Sequence, residues 1–254
     1  MGGMDTGRRR LLETMPLHAI TATYGEDGLR ERFAAEIAGF PQAERRRLED
    51  ALALASRLHA GDRRQNEPYI NHPLRVAIRI MSHYAIRDPD VIVAALLHDA
   101  VEDHAAELAP AGPDGASAPE EATEAAQTQA ALAALAERFG PRVAELVAAV
   151  TNPEYDPGRD RHVQYREHVA ASLDASPWAR VIKASDFTDN GAGLLYTTGP
   201  RVPELADKYA GLVPVLRELI SRPDTPLAEP ARQRVLAQLD RAEERFAAIL
   251  PPDG

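Results

Sequence analysis

Apolar residues recur at three- and four-residue spacing in segment after segment of this chain, and no sustained alternation of period two appears. The first pattern gives a helix one continuous apolar face, whereas a half-buried strand needs the second. The chain is therefore read as all-α. Alanine and leucine dominate and aromatics are only 5%, a composition that favours helices. The spacing predicts helices over 28–39, 43–60, 71–84, 88–104, 118–139, 141–151, 160–174, 177–190, 202–221 and 227–249. Pro41 precedes the second, Asp88-Pro89 supplies a cap and a first-turn proline to the fourth, and Gly140-Pro141 separates two more.

With 254 residues and 44% hydrophobic composition, one sizeable core can be buried. The expectation is a tail over 1–25 and a single domain over 26–254. Residues 105–120 (AAELAPAGPDGASAPE) can bury little apolar surface and are expected to form a mobile insertion, either a plain surface excursion or a lid. Residues 152–160 (NPEYDPGRD) read as a turn-rich connector. No internal repeat of fixed period is visible.

There is no cysteine, so disulfides, thiolate ligands and cysteine nucleophiles are excluded, and any metal must be held by histidine and carboxylate. The net charge of −10 speaks against nucleic acid or an anionic membrane as partner. The triplets Arg8-Arg9-Arg10 and Arg45-Arg46-Arg47 are too short to reverse that and read as solvated faces. No apolar run is long enough to span a bilayer and the N-terminus carries no secretory signal, so a cytoplasmic protein is expected.

The densest chemistry is His98-Asp99-Ala100-Val101-Glu102-Asp103, which follows the apolar run Val91 to Leu97 and is read as the end of the same buried helix. Offsets of three and four place Asp99, Glu102 and Asp103 on one face, where unscreened carboxylates repel. Negative charge at a helix C-terminus is also unfavourable with the macrodipole. A divalent cation relieves both problems and accepts imidazole and carboxylate together. Further ligands must come from other helices. His72 stands at a helix entrance beside Pro73, and Asp186 follows the apolar run Val181-Ile182; a carboxylate there needs a partner or a metal.

Three ordered blocks carry a resemblance: Arg63-Arg64 to Glu67-Pro68-Tyr69-Ile70-x-His72-Pro73, Ala94-Ala95-Leu96-Leu97-His98-Asp99-x-x-Glu102-Asp103, and Val181-Ile182-Lys183-x-x-Asp186-x-x-x-Asn190. Over roughly 48–220 the chain resembles the HD superfamily of metal-dependent phosphohydrolases. Within it, the chain is most similar to the hydrolase domain of RelA/SpoT-type (p)ppGpp enzymes and their small stand-alone relatives. The resemblance implies an HD-domain helical bundle that hydrolyses a small-molecule nucleotide, or a related pyrophosphorylated compound. It implies a metal held by His72, His98, Asp99 and Asp186, usually manganese, with iron, magnesium and zinc as alternatives. Glu102 and Asp103 would orient or deprotonate the attacking water, Asn190 would contact the sugar or phosphate region, and Arg63 would stack on or pair with the nucleotide. Synthase activity is not expected, since only one further helix follows the matched region.

The chain departs from those hydrolases at Gln65-Asn66, at Phe187 in place of an arginine, and at Ala192-Gly193 in place of Arg-Thr. Several readings stay open. Arg63 and Arg64 either meet substrate phosphate or are solvated, and Lys183 either pairs with a carboxylate or reaches phosphate. His59 is read as a core residue, since Leu54 and Leu58 mark a core face. His18, His83, His104, His162 and His168 carry no assignment. The C-terminal helix packs on the domain or on a second copy in a homo-oligomer. The alternative to an enzyme is an HD-domain nucleotide-binding sensor, and the Glu102-Asp103 pair favours the enzyme.

Overall fold

The computed structural model describes residues 6–64, 67–109, 123–196 and 199–250. It is built of helices with one two-residue hairpin, β1 (Arg63–Arg64) against β2 (Glu67–Pro68). The all-α expectation is met. Three helices form the centre: α4 (Asn71–Ser82), α5 (Pro89–Leu96) and α10 (Pro177–Asn190). α4 and α5 are buried almost throughout, and α10 is buried from Ala179 to Asp189. Helices apolar on every side have to lie inside a layer of others. Around them pack α2 (Leu17–Ile37), α3 (Gln42–Leu58), α8 (Pro141–Val150), α9 (Arg161–Ala175), α12 (Val213–Ser221) and α13 (Glu229–Ile249). Among the described residues no helix is long and apolar enough to cross a membrane.

Five predicted boundaries change. Residues 6–25, expected as tail, are mostly helical: α1 (Thr6–Thr14) and the start of α2 bury Leu12, Leu17 and Ile20. Their polar neighbours are tied down as well, with Arg8 bonded to Glu31 and Arg32 to the Leu12 carbonyl. α2 is two helices joined at Gly25, whose φ of 63° only glycine adopts without strain. The predicted 202–221 helix is split into α11 (Val202–Ala210) and α12, because Pro214 lacks the N–H that would continue the ladder. The insertion expected at 105–120 begins inside α6 (Ala100–Leu108), and residues 110–120 lie outside the described residues, as do Gln65-Asn66. α7 (Glu124–Phe139) starts later than predicted, capped by Thr123.

The fifth change bears on the site. The 88–104 helix is broken: α5 opens on the Asp88 cap as expected, yet Leu97 leaves helical geometry at φ −110°, ψ 9°, and α6 starts at Ala100. His98 and Asp99 occupy the corner. Glu102 and Asp103 therefore lie in the first turn of α6, where the helix dipole favours negative charge. The dipole argument made from a continuous helix is reversed.

Candidate metal and substrate site

α4 carries His72, Arg75 and Arg79 at spacings of three and four, one polar stripe on an otherwise apolar helix, all buried. The stripe meets Asp189 of α10. Asp189 takes a bidentate contact from Arg75, with Nε and Nη2 donating at 2.9 Å to Oδ1 and Oδ2, and a bond from Arg79 Nη2 at 2.9 Å. Burial opposes ionisation of Asp189, but Arg75, His72 and Arg79 hold its carboxyl well below the usual range. An ionised carboxylate only accepts, so the 2.8 Å contact to His72 Nδ1 places the imidazole proton on Nδ1. His72 Nε2 is thereby presented as a lone pair to the α5–α6 corner.

At that corner His72 Nε2 lies 3.2 Å from His98 Nε2, 3.5 Å from Asp99 Oδ2 and 3.3 Å from Asp186 Oδ1. His98 Nε2 is 3.2 Å from Asp99 Oδ2 and 3.7 Å from Asp186 Oδ1. Donors bound at about 2.1 Å to one ion stand about 3.0–3.4 Å apart along octahedral or tetrahedral edges. The four side chains fit one divalent ion with little rearrangement. His98 Nδ1 bonds the Ala95 carbonyl at 2.9 Å, which fixes its ring as Asp189 fixes that of His72. Without an ion, burial works against a charge on His98, but Asp99 and Asp186 raise its pKa well above the ordinary value.

The two acids accept further hydrogen bonds from neighbouring side chains. Tyr69 donates to Asp99 Oδ2 at 2.8 Å and stacks on the buried His59 at 4.6 Å between ring centres. Lys183 Nζ donates to Asp186 Oδ2 at 2.8 Å, so Lys183 pairs with a carboxylate. Asn190 donates to Asp186 Oδ1 and accepts from Arg64. Arg64 and Asn190 thus reach the centre, while Arg63 lies exposed on β1 opposite Pro68. Phe187 turns away into the core, edge-on to Tyr209 and Phe246.

Glu102 and Asp103 both stand on the rim with part of each residue open to solvent, while the Asp103 carboxyl is half enclosed by its neighbours. Glu102 accepts from Asn152 Nδ2 at 2.9 Å. The Asp103 carboxyl is pushed up to about 6 by burial among its neighbours, and further by the charges of Asp99 and Glu102. Beside Glu102 opens a cavity of about 180 Å³ lined by Tyr155, Arg161, Arg201 and Lys208. The Tyr155 hydroxyl finds no partner among the described residues. Arg161 and Lys208 thus bring positive charge next to the acids, while Arg201 pairs with Glu204 at 3.5 Å, although the chain is acidic overall.

Sequence reasoning missed Asp189, Arg75 and Arg79, whose signal was charge on apolar helices at helical spacing. It also missed the basic cavity, which α9 and α11 assemble from residues about 40 positions apart. A second group, His59, Asp62 and His104, was visible only in space. Its contacts of 2.8 Å and 2.7 Å through Asp62 are hydrogen bonds, shorter than the edges of a coordination sphere.

The sequence profile of the HD domain family matches residues 51–173. A human protein named guanosine-3′,5′-bis(diphosphate) 3′-pyrophosphohydrolase MESH1 is 34% identical over 148 residues, covering 57% of this chain and 67% of that one. An Aquifex aeolicus protein named guanosine-3′,5′-bis(diphosphate) 3′-pyrophosphohydrolase is 30% identical over 168 residues, 65% of this chain but only 20% of its own length. A solved structure described as a metazoan ortholog of SpoT that hydrolyzes ppGpp superposes with a TM-score of 0.57. It covers 82% of this chain and 98% of that one at 24% identity, a likeness of fold. The chain belongs to the HD domain family of metal-dependent phosphohydrolases.

Proposed function

We propose that the protein is a pyrophosphohydrolase acting on a nucleotide of the (p)ppGpp class, with one divalent ion held by His72, His98, Asp99 and Asp186. The observation that carries this reading is the cluster of His72 Nε2, His98 Nε2, Asp99 Oδ2 and Asp186 Oδ1, its contacts spanning 3.2–3.7 Å, one helical turn from Glu102 and Asp103. The names of the relatives supply the substrate class. Manganese is the ion of this reading; iron, magnesium and zinc suit the same mixed nitrogen and oxygen donors.

Such an ion lowers the pKa of a bound water and polarises a phosphoryl oxygen. The protein groups do the rest. Asp189 and the Ala95 carbonyl hold the two imidazoles in the ligating orientation. Asp103, with a carboxyl near 6, accepts the proton of the attacking water near neutral pH, and Glu102, fixed by Asn152, orients that water. Arg161, Arg201 and Lys208 take up the negative charge of the phosphates, while Arg64 and Asn190 contact the sugar side.

Phosphate and pyrophosphate release from (p)ppGpp, ordinary nucleotides and NADPH, with Mn²⁺ and with EDTA, tests the reading. Chelator-sensitive pyrophosphate release from (p)ppGpp is the expected result. Turnover of another compound would move the substrate class, and metal binding with no turnover would favour a nucleotide sensor.

A further inference from the structure

A second cavity, of about 230 Å³, lies away from the metal cluster, and its wall carries His18, Arg79, His83, Arg241 and Arg245 with no carboxylate among its lining residues. In a chain with ten more acidic than basic charges, three guanidiniums around one small cavity are a strong local departure, and burial keeps the two imidazoles beside them neutral. We propose that this cavity is a binding site for a small phosphate-class anion, up to the size of pyrophosphate, distinct from the hydrolytic centre.

The site is assembled from separate elements. Thr188, on its wall, follows Asp186 by two residues on α10, and thus lies about 200° round the helix from the metal side. Arg79 lies two turns along α4 from His72. Arg241 and Arg245 are one turn apart on α13, and His18 stands on α2; all three are outside the residues matched by the family profile. The cavity is therefore built largely by segments outside the matched region.

The chemistry of the wall selects phosphate. Arg241 Nε donates to the Ala237 carbonyl at 3.0 Å, and Arg245 Nη1 donates to the Ala192 carbonyl. Neither guanidinium forms an ion pair among the described residues, so each keeps further N–H donors in the planar fork that matches phosphate oxygens. Arg79 is committed to Asp189 and to Ser185 and contributes charge. The volume is below that of ordinary cofactor pockets, about 300 Å³ and upward, and so fits one or two phosphoryl groups. A bound anion would sit one residue from Asp189, which both His18 (3.5 Å) and Arg79 (2.9 Å) contact and which orients His72.

Calorimetric titration of the EDTA-treated full chain with inorganic pyrophosphate, and separately with inorganic phosphate, tests the proposal without reference to turnover. The expected result is one saturable site that persists in Arg161→Gln, where the hydrolytic cavity is impaired. That site should weaken tenfold or more in the double variant Arg241→Gln, Arg245→Gln and recover in part in Arg241→Lys, Arg245→Lys. Thermal melts without anion confirm that each variant is folded. Absence of saturable binding, or loss in Arg161→Gln with the α13 variants unchanged, would overturn it.

Discussion

Asp189 Oδ2 stands 2.8 Å from His72 Nδ1, and this one bond decides which nitrogen of His72 faces the other donors of the site, His98, Asp99 and Asp186. Arg75 and Arg79 keep Asp189 ionised. Replacing Asp189 by Asn turns one acceptor oxygen into an NH2 donor, so Nδ1 of His72 is no longer obliged to carry the proton, and it takes the buried counter-charge from Arg79 and from one side of Arg75, which keeps Glu67. Metal affinity should fall by about 10- to 100-fold and stability by about 3 kcal/mol or more. Mn²⁺ titration and thermal melts of Asp189→Asn measure both; unchanged affinity would mean that His72 is oriented by something else.

His98 carries a proton in the metal-free centre because Asp99 and Asp186 overcome the effect of burial. An ion must displace that proton. The apparent Mn²⁺ affinity should therefore rise about tenfold for each pH unit between pH 6 and 7, with about one proton released per ion bound. Calorimetry in buffers of different ionisation enthalpy counts that proton, and a pH-independent affinity would contradict the account.

Glu102 is held by Asn152 at 2.9 Å and is outside the ligand cluster. Glu102→Gln should keep the full metal stoichiometry yet slow turnover by about 10²-fold or more. Measurement of bound metal and initial rates on one preparation separates the two effects, and loss of metal would place Glu102 among the ligands.

Burial lowers His18 to about 4, despite the opposing charge of Asp189. A histidine whose folded pKa is below its unfolded value contributes stability above pH 6.5, and that contribution is lost as pH falls towards 4. His18 should account for about 2 kcal/mol of acid destabilisation over that window once its residual exposure is allowed for. Urea melts in EDTA from pH 7 to 4 should show a shallower decline in His18→Gln, and parallel profiles would remove His18 as the cause.

Period and spacing made the helices legible, and the boundaries of α10 were read correctly because Pro177 and Gly191 bracket the segment. The break at Leu97 was not legible, since Val91 to Leu97 is uniformly apolar and nothing in propensity stops it. The turn is imposed by tertiary packing, which places His98 and Asp99 at a corner. The N-terminal segment was misread for the opposite reason: Arg8-Arg9-Arg10 masked Leu12, Leu17 and Ile20, whose burial depends on partners far along the chain. His72, His98, Asp99 and Asp186 were named because their blocks are local. Asp189, Arg75 and the cavity of Arg161, Arg201 and Lys208 depend on which helices meet, and spacing within one segment does not carry that.

The most direct test is Asp99→Ala. Asp99 is the side chain at the α5–α6 corner that faces both imidazoles, at 3.2 Å and 3.5 Å. Bound Mn²⁺ per chain and pyrophosphate release are to be measured on the folded variant beside the parent protein. Joint loss of metal and turnover is the predicted result; a variant that keeps one ion per chain would contradict the assignment of the metal centre.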